Sequence, residues 1–392
     1  MFKLTASCLI IALLLFLYSA ADVAAVSYGR CESQFNSKGT CVQLADCPFI
    51  VDILSGDLNT EIEETLRKSQ CGYDNTFTEN TRRIMVCCPE EDLQKPPINT
   101  RTGTQLGNEL ATAGECGTAR SIDRIYGGDN ARIIDYPWMA LLRYRRGANV
   151  LEFLCGGSLI NSRYVLTAAH CLNQSNQTDE RSLHSVRLGE WDLRTNPDCE
   201  VDIRGKESCA PPFIELGIER AISHPKYVSN SNEQFYDIAL LRLEASVTYS
   251  DFIRPICLPV AQELYDNMFV NSTMEVAGWG ATDKPKARSS PVKMAISVRI
   301  WETNMCHNTY KSLNRYIDGT HHLCAGGVNG IDTCRGDSGG PLMLLKTLNY
   351  RIVYFVTGII SFGPEPCGFN GWPGVYTRVG NYIDWVKSMM EP

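Results

Sequence analysis

Short apolar runs recur between turn residues along the chain after Ile125. They are rich in β-branched and aromatic residues, which favours strands at Trp138–Tyr144, Tyr164–Thr167, Ile238–Leu243, Met274–Ala277 and Ile352–Ser361. Many short strands within one region predict an all-β barrel or sandwich domain. The last segment has a spacing of i, i+3, i+4 and i+7 instead, which predicts a closing amphipathic helix with apolar positions at Val379, Tyr382, Ile383 and Val386.

The N-terminus has the pattern of a secretory signal peptide. Lys3 precedes an apolar run from Cys8 to Leu17, and small residues follow up to Ala25. This run is too short to span a membrane, and no later stretch reaches the roughly 20 apolar residues that a spanning helix needs. We therefore expect residues 1–25 to be removed and the mature protein to be secreted, with no membrane span.

The charge of the chain indicates which kinds of partner it can bind, and its cysteine content indicates the cellular compartment in which it folds. The formal net charge of −7 comes without a basic block, so nucleic acid is not an expected partner. Of the 17 cysteines, 16 remain without Cys8, an even number that predicts eight disulfides in an oxidising compartment. Zinc binding is disfavoured because no histidine lies at zinc-finger spacing behind a paired CxxC.

The composition divides the chain of 392 residues into segments. Six cysteines fall within residues 30–89, which indicates a small domain that depends on disulfides because its core is inadequate. Residues 90–124 are polar, contain Pro96 and Pro97 and show no apolar periodicity, so they are interpreted as a linker and activation segment. Residues 125–392 form the predicted β domain.

Three motifs in this domain contain candidate catalytic residues. They are TAAHC with His170, DIALL with Asp237, and GDSGGP with Ser338. A serine hydroxyl is a weak nucleophile at neutral pH, so acyl transfer needs a nearby base and an anion that orients the base. Each residue alone could be a packed histidine, a cap or a turn residue, but three matched motifs in this order favour a catalytic triad. The glycines around Ser338 let the amides of Gly336 and Ser338 face a developing oxyanion.

With these motifs, GWG at Gly278–Gly280 and PGVYTRV at Pro373–Val379, residues 125–392 resemble the chymotrypsin/trypsin family. The resemblance implies two six-stranded β-barrels of the chymotrypsin type with a C-terminal helix and the triad between the barrels. It also implies the disulfides Cys155–Cys171, Cys306–Cys324 and Cys334–Cys367.

The same resemblance implies a primary pocket for a cationic side chain. Asp332 stands six residues before the nucleophile, at the position of the pocket floor, while Gly363 and Gly374 match positions that keep the mouth open. A buried carboxylate selects a cation because an apolar group would leave its charge unpaired. Cleavage after Arg or Lys is expected. Phe362 stands where many relatives carry Trp, which leaves subsites beyond this pocket open.

Activation is expected at Arg124–Ile125, where the sequence IYGG follows the arginine. By the family resemblance, cleavage there frees an amino group on Ile125 that pairs with Asp337, and Cys116–Cys257 keeps the cleaved parts joined. A scissile arginine implies an upstream trypsin-like protease.

The N-terminal cysteines resemble those of a clip domain, so that the whole chain resembles the arthropod clip-domain proteases. The resemblance implies the disulfides Cys31–Cys87, Cys41–Cys71 and Cys47–Cys88, whereas spacing alone leaves fifteen pairings open. Cys199 and Cys209 also fit this family. Its members act in extracellular cascades that process Toll ligands or activate prophenoloxidase in immunity or development. A zymogen or cytokine precursor as substrate and an inhibiting serpin are therefore expected.

The loop from residue 190 to 200 offers oxygen ligands suited to Ca²⁺, namely the carboxylates of Glu190, Asp192, Asp198 and Glu200 and backbone carbonyls such as that of Thr195. It matches the calcium loop of trypsin-like relatives in position, although acidic loops can be simply solvated. Sequons for N-glycosylation begin at Asn173, Asn176 and Asn271.

Two other functions compete with a cascade protease. A digestive trypsin seldom carries a disulfide-rich module, and a protease-like binding cofactor usually lacks the nucleophile, which is present here as Ser338.

Overall fold

The computed structural model describes residues 29–32, 38–43, 47, 68–74, 83–89, 109–111, 115–118, 129–147, 150–172, 181–201, 205, 207–281, 289–328, 332–348, 351–365 and 367–392. The chain divides into two compact units, Met1–Thr100 and Arg101–Pro392. The predicted signal peptide, the activation residues Arg124 and Ile125, and the sequons at Asn173 and Asn176 lie outside the described residues. In the described part of the chain, no helix is long and apolar enough to cross a membrane.

The first unit contains a four-stranded antiparallel sheet in the order β1-β2-β4-β3, formed by β1 (Arg30–Glu32), β2 (Lys38–Gln43), β3 (Gln70–Asp74) and β4 (Arg83–Pro89). Three disulfides cross-link it, with the pairing that the resemblance implies: Cys31–Cys87, Cys41–Cys71 and Cys47–Cys88. Four of its described buried residues are cysteines, so disulfides contribute much of the interior of a sheet that has few large apolar side chains.

The second unit begins with a closed six-stranded barrel. Its strands run in the order β12-β13-β8-β7-β6-β9 and comprise β6 (Met139–Arg146), β7 (Val150–Leu159), β8 (Tyr164–Thr167), β9 (Arg181–Leu188), β12 (Ile214–Ser223) and β13 (Ala239–Leu243). β8 and β13 are buried at every position, because their side chains pack inside the barrel on one face and against other elements on the other. A separate exposed hairpin, linked by Cys199–Cys209, pairs β10 (Cys199–Val201) with β11 (Glu207–Cys209).

The remaining strands form a seven-stranded sheet in the order β16-β19-β18-β17-β14-β15-β5. They are β5 (Asp129–Asn130), β14 (Thr273–Gly278), β15 (Met294–Arg299), β16 (His322–Ala325), β17 (Pro341–Leu348), β18 (Arg351–Phe362) and β19 (Gly374–Arg378). One isolated bridge between Ile300 and Ala325 joins the far ends of β15 and β16, so six of these strands curl back on themselves. The predicted all-β architecture of the chymotrypsin type is confirmed, with a second barrel that is less regularly closed than the first.

Three α-helices are described: α1 (Gln262–Tyr265), α2 (Thr303–Lys311) and α3 (Ile383–Met389). The predicted closing helix is α3, but it begins later than expected. Val379 and Tyr382 lie on a 3-10 turn (Val379–Tyr382) that leads into α3, as often occurs at helix ends. Both are buried together with Ile383 and Val386, so the predicted apolar face packs against the core.

The predicted disulfides of the second unit are all present as pairs: Cys116–Cys257, Cys155–Cys171, Cys199–Cys209, Cys306–Cys324 and Cys334–Cys367. A cross-link between residues 141 positions apart, such as Cys116–Cys257, removes much freedom from the unfolded chain. It also anchors a short segment before the β domain, where the Gly117 amide donates to the Pro255 carbonyl at 2.8 Å.

Candidate active site

Asp237 and His170 come together although they are 67 positions apart. His170 lies on a short 3-10 turn (Ala169–Leu172) directly after β8, and Asp237 lies just before β13, which pairs with β8. The His170 Nδ1 atom is 2.8 Å from Asp237 Oδ2, and the His170 amide donates to Oδ1 at 2.8 Å. The pairing of the two strands therefore sets the position of the orienting carboxylate beside the imidazole.

The Asp237 carboxylate is completely buried and receives a further hydrogen bond from the second sheet. The Ser361 hydroxyl, on β18, donates to Oδ2 at 2.5 Å, and the Thr377 hydroxyl, on β19, donates to the Asp237 carbonyl at 2.8 Å. Sequence reasoning missed both partners. Nothing in their residue types or spacing distinguishes them from other strand residues.

These contacts decide the charge states of the pair. Burial by itself would raise the pKa of Asp237, but the charge of His170 and the hydrogen bonds from His170 and Ser361 outweigh it and hold the pKa below its usual range. For His170, burial lowers the pKa, and the Asp237 carboxylate more than reverses this, so the pKa lies above 6.5. The imidazole is thus suited to accept a proton during a reaction near neutral pH.

Ser338 is placed by its backbone. The Gly156 amide on β7 donates to the Ser338 carbonyl at 2.7 Å, and the neighbouring Cys155 is bonded to Cys171, which follows His170. Gly339 has a φ of +80°, and a Cβ there would lie 2.5 Å from the Gly156 carbonyl oxygen. Only glycine fits this position, and this close approach secures the serine beside the loop that carries the histidine.

The turn before Ser338 is suited to bind an oxyanion. Gly336 has a φ of +100°, which favours glycine. Within the described residues, the amides of Gly336 and Ser338 donate to no other backbone group, so both remain available as donors. Amides held in this way can stabilise the negative charge that develops on a carbonyl oxygen during acyl transfer.

Asp332 is half-buried and lies close to this turn in sequence. One carboxylate oxygen, Oδ1, accepts from the Thr333 amide at 2.8 Å, whereas the buried Oδ2 has no hydrogen-bond partner among the described residues. Burial raises the pKa of Asp332 to about 7, against the opposing effect of the amides of Thr333, Gly374 and Gly327. Tyr376, which sequence reasoning missed, packs nearby, with its hydroxyl 3.5 Å from that of Thr333.

The predicted mouth glycines face each other beside Asp332. A Cβ on Gly363 would lie 3.8 Å from the Gly374 Cα, and a Cβ on Gly374 would lie 2.9 Å from Asp332 Oδ1. A larger residue at Gly374 would therefore enter the space in front of the carboxylate.

Asp337, directly before the nucleophile in sequence, occupies a second carboxylate site. Its oxygens accept from the amides of Gly280 at 2.8 Å and Cys334 at 3.1 Å. A Cβ on either Gly278 or Gly280 would lie 2.1 Å from a carboxylate oxygen, so the GWG motif makes room for this side chain. Burial raises the pKa of Asp337 to about 6, and among the described residues no cation forms an ion pair with it.

Of the predicted calcium ligands in the loop after β9, Glu190 and Asp198 are close together, whereas among the described residues the carboxylates of Glu190, Asp192 and Asp198 do not converge as a group of three. Glu190 and Asp198 both accept from the Trp191 amide at 2.9 Å, so two buried carboxylates lie side by side. The Thr195 hydroxyl donates to Asp198 at 2.6 Å. Burial and then the nearby Asp198 charge raise the pKa of Glu190 against the opposing hydrogen bond from Arg187. Clustered hard oxygens that repel each other fit a cation such as Ca²⁺.

Cations of the protein partly neutralise this cluster. Arg187 Nη1 is 2.9 Å from Glu190, and Arg194 Nη2 is 2.6 Å from Asp192. Lys293 is buried near Glu190, Asp198 and Asp135, and burial lowers its pKa to about 8.

Two other features, a cluster of possible metal ligands and a predicted glycosylation site, add little to the chemistry of the active site. Cys155, Cys171 and His170 lie within reach of one another, but the cysteines are joined in a disulfide and cannot ligate a metal as thiolates. Asn271 is exposed, as a glycosylation site must be, and its side-chain oxygen accepts from Arg299 at 3.3 Å.

The contact between Asp237 and His170 predicts a specific pH dependence. We expect kcat/KM on a chromogenic peptide to rise with pH through a midpoint above 6.5, as His170 loses its proton. Asp237→Asn should lower kcat by about 10⁴-fold because the amide holds the wrong tautomer. It should also shift the midpoint to lower pH, because the burial of His170 is no longer opposed by a carboxylate.

The matched control is Asp318→Asn, which removes the carboxylate of another aspartate–histidine pair, with His321 at 3.0 Å. That variant should keep the original profile. If Asp237→Asn left the midpoint of the pH profile unchanged, Asp237 would not be the carboxylate that raises the pKa of His170.

Known proteins are similar to this chain over nearly its whole length. The trypsin family model matches residues 125–386, and the model described as the regulatory CLIP domain of proteinases matches residues 31–88. The Spaetzle-processing enzyme of Drosophila melanogaster is 43% identical over 394 residues, covering 98% of this chain and 97% of the relative. Serine protease ea of the same species is also 43% identical, over 93% of this chain and 92% of its own length.

More distant relatives have the same organisation. Phenoloxidase-activating factor 1 of Holotrichia diomphalia is 36% identical over 92% of this chain and 93% of its own. The solved structure of the Drosophila Grass clip serine protease of the Toll pathway superposes with a TM-score of 0.62 at 32% identity, covering 94% of this chain and all of that one. The chain therefore belongs to the trypsin family and, with its CLIP domain, is a clip-domain serine endopeptidase.

Proposed function

We propose that this protein is secreted as a zymogen and that its activated form cleaves protein substrates after Arg or Lys within an extracellular cascade. One observation carries the specificity: Asp332 presents a buried carboxylate oxygen that has no hydrogen-bond partner in the described part of the chain. Leaving such a group unsatisfied is costly, and a guanidinium or ammonium group from the substrate would remove that cost. An apolar side chain would not.

The shape of the pocket supports the same specificity. Gly363 and Gly374 leave the approach to Asp332 open, so a long side chain can reach the carboxylate. The pKa of Asp332, raised to about 7 by burial, would fall when a cation binds, because the charged form is then favoured. Binding energy from this ion pair is thus available only to substrates that carry a positive charge at P1, the residue before the cleaved bond.

We propose that catalysis uses Ser338 as nucleophile, His170 as base and Asp237 as the orienting carboxylate. His170 takes the proton of the Ser338 hydroxyl as the oxygen attacks the substrate carbonyl, and Asp237 stabilises the resulting imidazolium through the 2.8 Å contact. The amides of Gly336 and Ser338 bind the oxyanion. His170 then protonates the leaving amine, and water repeats the sequence to release the acyl group.

Activation would supply the missing cation of Asp337. In this proposal, cleavage after Arg124 frees the amino group of Ile125, which pairs with the buried carboxylate next to Ser338. The support is that Asp337 has a pKa raised to about 6 and, in the described part of the chain, no ion-pair partner. A bound amine would stabilise the ionised carboxylate and with it the turn that carries Gly336 and Ser338.

The relatives suggest the biological setting. Names such as Spaetzle-processing enzyme and phenoloxidase-activating factor describe proteases that act on other proteins. We propose a protein substrate of this kind, a downstream zymogen or a cytokine precursor, an upstream trypsin-like activator and an inhibiting serpin. Secretion is supported by sixteen cysteines paired in eight disulfides, which persist in oxidising compartments.

Calcium binding is a separate proposal. Glu190, Asp192, Thr195 and Asp198 would hold the ion, whose charge would offset the repulsion between the buried carboxylates. Its role would be to stabilise the loop and not to take part in the reaction.

Specificity is tested by Asp332→Ser. Removing the carboxylate should lower kcat/KM on an Arg peptide roughly 10²- to 10³-fold, as expected for breaking one side of a buried ion pair. Activity on a Phe peptide should not fall in parallel. Asp251→Ser, which removes a carboxylate that pairs with Arg254 at the surface, is the control. An Arg preference that survives the Asp332 change would rule out this pocket.

Activation is tested by Arg124→Gln. This variant should be secreted, stay uncleaved and remain inactive on an Arg peptide, while Arg132→Gln, eight residues further on, should be cleaved and activated normally. Wild-type protein cut after Arg124 should migrate as one species on non-reducing gels and as two after reduction, because Cys116–Cys257 spans the cut. Full activity of uncleaved Arg124→Gln would overturn the mechanism.

The calcium proposal predicts a higher melting temperature in millimolar Ca²⁺ than in EDTA. Saturation at 100 times the dissociation constant contributes about 2.7 kcal/mol, enough for a shift of several degrees. Asp198→Asn should reduce this shift, and Asp318→Asn, outside the loop, should not. Equal melting temperatures in both buffers would argue against calcium binding.

A further inference from the structure

Phe362 stands in the chain between a residue that contacts the triad aspartate and a residue at the predicted P1 pocket mouth. Its neighbour Ser361 donates to Asp237, and its other neighbour, Gly363, lies at the pocket mouth. The ring packs edge-on against Tyr310, with centroids 5.7 Å apart. The guanidinium carbon of Arg315 is 4.5 Å from the Phe362 centroid, within the range of a cation–π contact.

Arg315 is held in this position by its own loop. Its amide donates to the carbonyl of Tyr310 at 3.3 Å, and its Nη1 donates to the carbonyl of Asn232 at 2.7 Å. Tyr310 is itself buried, with its hydroxyl bound to the Pro373 carbonyl at 2.6 Å. The guanidinium therefore connects the loop after α2 with the loop that leads to Asp237.

The charge of Arg315 is not matched by an adjacent carboxylate. Among the described residues, no carboxylate forms an ion pair with it. Glu233 is close enough for Arg315 to lower its pKa, but the larger cause is the Ser231 hydroxyl, which donates to Glu233 at 2.6 Å. A guanidinium has five N–H donors, and the described structure uses one of them.

An extended substrate must pass this place. If the P1 side chain enters at Gly363 and the scissile bond lies at Ser338, as the proposed function requires, the chain N-terminal to P1 would pass Phe362, the residue next to Gly363. The residue before P1 would then lie beside the ring, and the guanidinium, 4.5 Å beyond the ring centroid, is more than one extended residue of about 3.3 Å further away. The side chains that reach Arg315 therefore come from P3 or P4, two or three residues before P1.

We propose that Arg315, seated on Phe362, selects an acidic side chain at P3 or P4 of the substrate. The guanidinium occupies a ring face that would otherwise receive an apolar side chain. A carboxylate gains a charge-assisted hydrogen bond there, whereas lysine or arginine is repelled. This inference rests on the proposed cleavage after Arg or Lys, and it adds a specificity-determining residue to that reaction.

The test compares activated full-length protein with its Arg315→Gln variant on peptides that end in P1 arginine and carry Glu, Gln or Lys at P2, P3 or P4. For the wild type, we expect kcat/KM to favour Glu over Lys by about fivefold at P3 or P4, the scale of one exposed charge pair. Arg315→Gln should bring this ratio close to one. Lys311→Gln, which removes an exposed charge at the end of α2, should leave the ratio unchanged.

A short substrate that carries arginine at P1 and no residue at P3 or P4 separates the proposed cleavage after Arg or Lys from the proposed role of Arg315. If Arg315→Gln hydrolyses it like the wild type and the Glu/Lys ratio changes as expected, both proposals stand. A wild-type ratio near one at all three positions, or a ratio that Lys311→Gln reduces equally, overturns the role of Arg315 while leaving the P1 proposal intact. Failure of the wild type to prefer P1 arginine over P1 phenylalanine would contradict the proposed function itself.

Discussion

The proposed catalytic arrangement depends on the hydrogen bonds that the buried carboxylate of Asp237 accepts from His170 and Ser361. This carboxylate is fully removed from solvent, yet it remains ionised, because His170 contributes both its ring and its backbone amide and Ser361 adds a hydroxyl. His170 belongs to the first barrel, whereas Ser361 and Thr377 belong to the second sheet. The buried charge of Asp237 is therefore satisfied by groups from both the first barrel and the second sheet. The site forms completely only when these two parts pack together.

Backbone contacts extend this arrangement to the nucleophile. Ser338 is tied to Gly156 on β7, and the adjacent disulfide Cys155–Cys171 leads back to the residue after His170. The proposed nucleophile and its proposed base are thus both attached to neighbouring residues of β7, Gly156 and Cys155. Such attachment limits the positional freedom of groups that must meet within hydrogen-bond distance.

Two further carboxylates near Ser338 have fewer compensating contacts than Asp237 among the described residues. There, one Asp332 oxygen has no hydrogen-bond partner and Asp337 accepts only from backbone amides, so burial raises the pKa of both. Under the proposed function, each is completed by a cation from outside the described structure, the substrate side chain for Asp332 and the new N-terminus for Asp337. Under this proposal, a buried carboxylate that lacks a cation selects a positively charged substrate at Asp332 and, at Asp337, makes activity depend on cleavage.

Local sequence was sufficient for the type of fold and for the residues that carry the chemistry. The strands at β8 and β18 follow from apolar runs, and the motifs around His170, Asp237 and Ser338 are short enough to recognise directly. The start of α3 was less predictable, because a 3-10 turn and an α-helix bury nearly the same apolar positions.

Only the tertiary structure revealed Ser361 and Thr377 as partners of Asp237, the bridge between Ile300 and Ala325 that curls the second sheet, and Arg315 on the ring of Phe362. The Asp237 contacts span 124 and 140 positions. Side chains that are neighbours only after strands pair and sheets pack leave no periodic trace in the sequence, since a serine or an arginine on a strand or loop is compatible with many surroundings.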